Sequence, residues 1–196
     1  MLPVKGFMVG LPWPVLLGVL AFAGWRLGGW RLALLPLALG AFVLLTGNWE
    51  KAMITVYLCG LSVVIAAMTG IPLGIWATSS RRRTGATLAV IDTLQTLPSF
   101  VYLIPVIMLF SVGDFSAMIA VVAFALAPAV RYTIHGLNQV PEHLIEAGRA
   151  QGCSRSQILW KIRMPLALPE IMLGINQTIM MALCMLVLTA LVGTRD

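Results

Sequence analysis

The sequence contains little charge. Only 10% of its 196 residues are Asp, Glu, Lys or Arg, whereas 60% are hydrophobic and the mean hydropathy is +0.96. A soluble globular domain of this size does not need so much apolar surface, so this composition excludes that class. Apolar runs of 18 or more residues are long enough to cross a bilayer core of about 30 Å. The sequence therefore predicts an all-α chain that crosses a membrane several times.

Residues and motifs typical of metal sites, disulfides and enzymes are also scarce. The histidines His135 and His143 lie in a polar segment without an HExxH pattern, so no metal site is predicted. No Ser lies in a GxSxG motif, and Asp92 has no second acid within a span, as an intramembrane protease would need. The cysteines lack CxxC spacing and indicate small hydrophobes rather than disulfides; they are Cys59, Cys153 and Cys184. The chain is predicted not to be an enzyme and to bind no cofactor itself.

Apolar stretches separated by short polar breaks predict a transmembrane helical bundle of about six spans. No small-residue cleavage site follows the first stretch, so we interpret it as a retained span. The sequence ends directly after the sixth stretch, and we expect a further helix to be missing, with a short natural terminus as the alternative. The predicted spans are 7–24, 30–46, 52–77, 86–112, 115–130 and 166–193.

Basic residues predict the orientation of these spans. The breaks at 25–31, 79–85 and 131–165 hold ten of the 13 Lys and Arg residues. The positive-inside rule places these three loops in the cytoplasm, and Met1 then lies outside. The net charge of +6 is therefore attributed to cytoplasmic loops rather than to nucleic-acid binding. Two parts are predicted: residues 1–46 as N-terminal transmembrane helices, and residues 47–196 as a core that includes the loop 131–165.

The polar segment between the last two spans predicts a helical hairpin. Pro141 suits the first turn of a helix, and Gly152 is a typical C-terminal breaker. Ser154 and Gln157 have the spacing of a capping box for a second helix. Pro165 is predicted to end that helix before the last span begins.

Small residues are predicted to leave one side of the first hairpin helix nearly bare, so that another protein can approach its backbone. The alternative is an amphipathic hairpin lying on lipid headgroups. The small residues are Ala147, Gly148, Ala150 and Gly152. The residues predicted to add apolar contacts with that protein are Leu144, Ile145, Ile158, Leu159 and Ile162.

The same segment resembles the cytoplasmic coupling loop of ABC importer permeases. That pattern is Glu-Ala-Ala, three residues, Gly, nine residues, Ile, two residues and Pro. Gly148 departs from it, standing where a second Ala is usual. The residues that fit are Glu146, Ala147, Gly152, Ile162 and Pro165.

Further stretches resemble the glycine betaine/proline and choline importer permeases, which belong to the quaternary-amine osmolyte branch of ABC importers. These stretches are 92–105, 131–141 and 165–177, and the similarity covers about residues 50–196. Their motifs do not separate glycine betaine from choline, carnitine, proline betaine or trimethylamine N-oxide. The first 46 residues match only in being hydrophobic.

The resemblance implies a division of labour between several proteins in a bacterial inner membrane. A binding protein outside the cytoplasm captures the solute, two permease copies form the path, and two cytoplasmic ATPases drive the switch. This chain has no GxxxxGK[ST] loop, so the Mg-ATP would be bound by the partner ATPase. Relatives carry one more span after a loop like the last four residues.

Polar and aromatic residues within spans are the candidates for the translocation path. Asn176 and Gln177 lie near mid-membrane, where path lining and interhelical hydrogen bonding are both open interpretations. Asp92 is predicted to attract a cationic solute or to pair with a nearby Arg. Gln95 lies one helical turn from it, near the cytoplasmic end of the fourth span.

Two aromatic residues of the fourth span are candidates for cation–π contact with a quaternary ammonium, or else for packing. Phe100 and Tyr102 are two apart and point in different directions on a helix, so they do not form a cage. We therefore expect the binding protein to provide most of the solute selectivity. Pro98 and Pro105 are predicted to bend this helix.

Two other classes of membrane protein compete with the importer reading. A secondary transporter or channel subunit needs no ATPase, but it also has no need of a long cytoplasmic hairpin. A structural scaffold leaves Asn176 and Gln177 unexplained. A pull-down for an ATPase partner separates these classes.

Overall fold

The structure is a computed structural model that describes residues 12–192, together with Gly6 and Gly10. Helices occupy nearly all of this range, and no strand occurs within it. This confirms the all-α prediction. The helices are α1 (Trp13–Leu45), α2 (Trp49–Ala77), α3 (Arg81–Thr96), α4 (Phe100–Phe110), α5 (Asp114–Asn138), α6 (Glu142–Ala150), α7 (Arg155–Ile158), a π-turn (Leu159–Arg163) and α8 (Met164–Val192).

The chain divides into two compact units, and the division falls within α2. The first unit ends at Tyr57 and the second begins at Leu58. The boundary predicted from the sequence, between 46 and 47, lies in the connection between α1 and α2 and remains a prediction.

Helix α1 of the first unit is broken at two glycines. Gly29 has φ +75°, in the left-handed region that favours glycine, and the helical path resumes after it. The two arms fold back on each other. A Cβ at Gly24 would lie 2.9 Å from the carbonyl oxygen of Leu32, and one at Gly40 would meet the side chain of Leu17. The predicted break at 25–31 is therefore confirmed.

The number of spans depends on how the broken helices are counted. Within the described residues, four helices are long and apolar enough to cross a membrane, or five if the bent pair α3–α4 is one span. The six predicted stretches differ from this count because they treat the two arms of α1 as separate spans. The first predicted stretch is 7–24, and most of its residues before 12 lie outside the described residues.

Helix α5 forms the centre of the second unit. It is lined along most of its length by buried small and apolar side chains. Gly70 and Gly74 of α2 have the GxxxG spacing that lets membrane helices approach closely. A Cβ at Gly70 would lie 2.8 Å from the Cβ of Ala129, and one at Gly74 would lie 2.7 Å from the Cβ of Thr133. Helix packing here therefore depends on the absence of side chains.

Helix α8 packs along α5 through one continuous face. Leu137 of α5 forms a buried cluster with Ala167 and Ile171 of α8. Further along α8, Gly174 approaches Tyr132 so closely that a Cβ would lie 2.7 Å from the Tyr132 Cβ. The end of the polar hairpin is thus continuous with a helix that packs closely against the centre of the unit.

The predicted fourth span, 86–112, is two helices instead of one bent helix. Helices α3 and α4 meet at 86°, and residues 97–99 form the break. Pro98 lies in this break, as its missing backbone donor predicts, whereas Pro105 lies inside α4. Helix α3 also begins earlier than expected, because Arg81 to Arg83 form its first turn and not a loop.

Candidate functional site

The polar hairpin has the local structure that its sequence predicts. Helix α6 ends at Ala150, and Gly152 has φ +80°, the left-handed conformation that ends many helices. The Ser154 hydroxyl accepts a hydrogen bond from the backbone N–H of Gln157. The side-chain oxygen of Gln157 accepts one in return from the backbone N–H of Ser154, at 2.7 Å. This is the predicted capping box. The turn between the two hairpin helices is therefore fixed by residues within it.

The small residues of α6 do not share one outward face. Glu146, Ala147 and Ala150 are exposed, but Gly148 is buried. A Cβ at Gly148 would lie 2.6 Å from Cδ1 of Ile162, on the second helix of the same hairpin. The prediction of a bare docking face is wrong at this position, because Gly148 lets the hairpin close on itself.

Pro165 does not end the second hairpin helix. The chain is helical without interruption from Arg155 to Leu191, and Pro165 lies at the second residue of α8. The π-turn Leu159–Arg163 precedes it, and the Met164 backbone N–H donates to the Leu159 carbonyl. A π-turn shifts the hydrogen-bond register by one residue, which accommodates a proline that lacks a donor. The predicted boundary is corrected to a change of helix type.

Arg131 links the central helix to α3. Its guanidinium forms an ion pair with Asp92 and donates a second hydrogen bond, at 2.7 Å, to Oε1 of Gln95. The ion pair was one of the two interpretations of Asp92, and the geometry agrees with it. Both charged side chains are roughly half exposed. The use of Asp92 and Gln95 along a solute path stays a prediction.

The two candidate aromatic residues of α4 have different surroundings. The Tyr102 hydroxyl donates to the carbonyl of Leu94 across the break, and its ring packs edge-on against Phe124 at 5.7 Å. Phe100 is 45% exposed. Tyr102 therefore stabilises the junction between α3 and α4, and Phe100 is the ring that remains accessible.

The polar residues of α8 also separate by direction. Asn176 is exposed, Gln177 is half-buried, and Thr178 is buried with its hydroxyl donating to the Gly174 carbonyl. Asn176 is thus not buried among the described helices, and both path lining and interhelical hydrogen bonding stay predictions for it. No group of three metal-binding side chains is found in the described part of the chain.

Comparison with known proteins places this geometry in a family. Residues 70–195 match the family described as the binding-protein-dependent transport system inner membrane component. This stretch contains the bent pair α3–α4, the central helix α5, the hairpin and all of α8. The chain belongs to that family. It is accordingly a multi-pass inner-membrane permease component.

Curated relatives of this permease are similar over almost its whole length. It is 40% identical over 99% of its residues to the trimethylamine N-oxide transport system permease protein TmoV of Ruegeria pomeroyi, and 40% identical over 95% to the glycine betaine/proline betaine transport system permease protein ProW of Escherichia coli. It covers 30% and 52% of those two proteins, so it spans about half of their length or less. The glycine betaine transport system permease protein OpuAB of Bacillus subtilis is 38% identical, and the chain covers 68% of it.

A solved structure has a similar fold. The MetNI methionine ABC transporter, in inward-facing conformations, aligns with a TM-score of 0.65 at 23% identity. The match covers 78% of this permease and 76% of that chain. At this identity the likeness concerns the fold alone.

One contact of this permease is not predicted by the sequence. Arg163, whose charge in the sequence indicates only a cytoplasmic loop, donates from Nη2 to the Leu137 carbonyl at 2.7 Å. A signal was present in the spacing of apolar residues. Ile158 and Ile162 are four residues apart, whereas Ile162 and Ala167 are five residues apart. A five-residue step between apolar residues on one face of a helix indicates a π-turn.

Proposed function

We propose that this chain is the membrane-spanning permease subunit of an ATP-driven importer for quaternary-amine and related compatible solutes. The hairpin from 142 to 163 transmits the motion of a separate ATPase to the spans. The observation that carries the proposal is the form of this hairpin. It has a fixed turn, an exposed face with Glu146 and Ala147, and a continuous helical connection into α8.

The exposed side of the hairpin is suited to docking a protein. Its turn is stabilised by the capping box of Ser154 and by the left-handed Gly152, so a partner meets a preformed surface and little ordering cost is added on binding. Membership of the permease family supports an ABC ATPase as this partner. The proposed contacts are Glu146, Ala147, Gly148, Gly152, Ile162 and Pro165, of which Gly148 acts by packing inside the hairpin.

The remaining components lie outside this chain. Two ATPase subunits bind Mg-ATP, a second copy of the permease completes the path, and an extracytoplasmic binding protein delivers the solute. The chain itself performs no hydrolysis. The names of the relatives support glycine betaine, proline betaine, carnitine or trimethylamine N-oxide as the solute, and choline follows from the motif resemblance.

The proposed path uses groups that are not engaged inside the bundle. Phe100 offers an exposed ring face to a cation, and Asn176 offers an amide near mid-membrane. Asp92, Gln95 and Tyr102 hold α3, α4 and α5 together, and so shape the path more than they contact the solute. One ring per copy guides a solute but hardly selects it, so selectivity belongs to the binding protein.

The proposed orientation places the hairpin in the cytoplasm and the N-terminal end of the chain outside. Arg81, Arg82 and Arg83 form the first turn of α3 and are all exposed, as basic residues at a cytoplasmic boundary are. The connection between α1 and α2, which contains Gly47, then faces the outside.

Co-purification with the cognate ABC ATPase tests the proposal. The full chain is expressed with that ATPase, extracted in mild detergent and isolated through a tag on the permease. We expect the ATPase in stoichiometric amount, and a loss of it when Glu146 and Ala147 are both replaced by bulky residues. Replacing the exposed Val64 and Met68 on α2 in the same way is the control. Absence of the ATPase from the wild-type complex contradicts the proposal.

A further inference from the structure

Arg163 lies where the hairpin returns to the membrane helices. It is the last residue of the π-turn, and its Nη2 donates at 2.7 Å to the carbonyl of Leu137, 26 residues earlier. Leu137 is in the last turn of α5 and is 1% exposed. The guanidinium therefore joins the second helix of the hairpin to the end of the central helix.

Both partners in this contact have a physical reason to form it. The last carbonyls of a helix lack N–H donors within the helix, and a cation near them is favoured by the helix dipole. The Nε of Arg163 is buried and has no acceptor within the described residues. The bond to Leu137 is thus the polar contact that holds the guanidinium in place.

The π-turn lies between two packing contacts of one continuous helix. Ile158 and Ile162 pack on Gly148 of the hairpin, and Ala167 and Ile171 pack on the end of α5. The steps between these residues are four, five and four, and the five-residue step crosses the π-turn. In a regular α-helix a five-residue step turns by about 140°, about 100° further than a four-residue step. The π-turn, whose hydrogen-bond register is shifted, therefore lies where packing within the hairpin gives way to packing on α5.

We propose that Arg163 is a positioning residue that couples the hairpin to α5 and α8 as one body. This inference rests on the proposed function, and it adds a residue outside the pattern of the coupling loop. A push on α6 reaches α8 through Gly148 and Ile162, and it reaches α5 through Arg163. Without the guanidinium, the wide π-turn absorbs part of the displacement, because its hydrogen-bond register is already shifted from that of the flanking helix.

Arg163→Met tests this role, because it keeps the aliphatic chain and removes every donor. The variant is reconstituted with the cognate ATPase and binding protein, and solute uptake and ATP hydrolysis are measured together. We expect the ATP hydrolysed per solute to rise about tenfold, the scale of losing one charge-assisted hydrogen bond, with ATPase association unchanged. Arg163→Lys keeps the charge, so its ratio of ATP hydrolysed to solute transported should return most of the way to the wild-type value. Arg155→Met, at an exposed position of the same hairpin, is the matched control.

The outcomes separate this role from a merely structural one. An unchanged ratio in Arg163→Met, or an equal loss of ATPase association and uptake, overturns the proposal. A second test measures the distance between spin labels at Asn138 and Arg155 in the detergent-solubilised chain. It is carried out in the wild type and in Arg163→Gln. The distribution should broaden in the variant, and an unchanged distribution overturns the proposal too. If the wild-type assembly binds no ATPase, the proposed function fails, while the label distances still test the link.

Discussion

The hairpin 142–163 and the broken helix 81–110 lie on the same central helix but are held together differently. The hairpin is fixed by neighbours in sequence: its capping box joins residues three apart, and its turn depends on one left-handed glycine. The broken helix is fixed by residues distant in sequence. Arg131 reaches Asp92 and Gln95, and Tyr102 packs on Phe124.

This difference indicates which part moves as a unit and which part can adjust. A hairpin stabilised by local contacts keeps its shape when a partner pushes on it. A break stabilised by single side-chain contacts between helices can change its angle when those contacts shift. On this comparison we propose force transmission for the hairpin and solute passage for the bent pair α3–α4.

Accessibility to a membrane-impermeant thiol reagent gives the largest expected contrast. After the native cysteines are replaced, single cysteines at Lys51 and at Val112 should be labelled from outside intact cells. Cysteines at Arg82 and Arg155 should react only after the membrane is opened, because the hairpin is proposed to be cytoplasmic. Labelling of Arg82→Cys from outside would overturn the orientation.

Gly152→Leu should nearly abolish transport. A Cβ at this glycine meets no atom within 4 Å, but φ +80° costs an ordinary residue roughly 1–2 kcal/mol. The turn then distorts, and we expect uptake and ATPase association to fall while membrane insertion persists. Gly85→Leu is the control, because that site is equally open and has no positive φ. Normal uptake by Gly152→Leu would show that the turn does not transmit motion.

A double-mutant cycle on Asp92 and Arg131 should show a smaller effect. Asp92→Asn, Arg131→Met and the double variant are compared by unfolding in denaturing detergent. Because both side chains are about half exposed, we expect a coupling free energy of about 1 kcal/mol. Strictly additive effects would mean that the ion pair does not hold α3 against α5.

The smallest changes are expected at the two rings. Tyr102→Phe removes the hydrogen bond to the Leu94 carbonyl, worth about 1 kcal/mol, and should lower the transport rate modestly. Phe100→Ala, and Tyr102→Ala likewise, should also lower the rate modestly. Competition between glycine betaine, carnitine and trimethylamine N-oxide measures preference, which should not change. A variant that switches preference would show that the permease itself selects the solute.

The features that the sequence predicts well are those determined locally. Gly152, Ser154 and Gln157 fix the turn through contacts with near neighbours, and Gly28 and Gly29 mark the break in α1. Composition was enough for the all-α class, since every long apolar run must satisfy its backbone in lipid.

The features that the sequence did not predict depend on helices that are distant along the chain. Gly148 looked like part of an outward face until Ile162 was placed against it. Pro165 looked like a helix end because a π-turn has no strong composition signal. Pro98 predicts a bend at 97–99, but the 86° angle lies between helices whose contacts, those of Tyr102 and Arg131, join residues that no local pattern brings together.

The source of the driving force tests the central claim most directly. Glycine betaine uptake is measured in proteoliposomes that contain the full-length permease, with and without the cognate ATPase and binding protein, and with ion gradients collapsed by ionophores. The account predicts that uptake requires the ATPase, the binding protein and ATP hydrolysis, and that it persists without ion gradients. Uptake that proceeds without the ATPase and follows a proton or sodium gradient would contradict it.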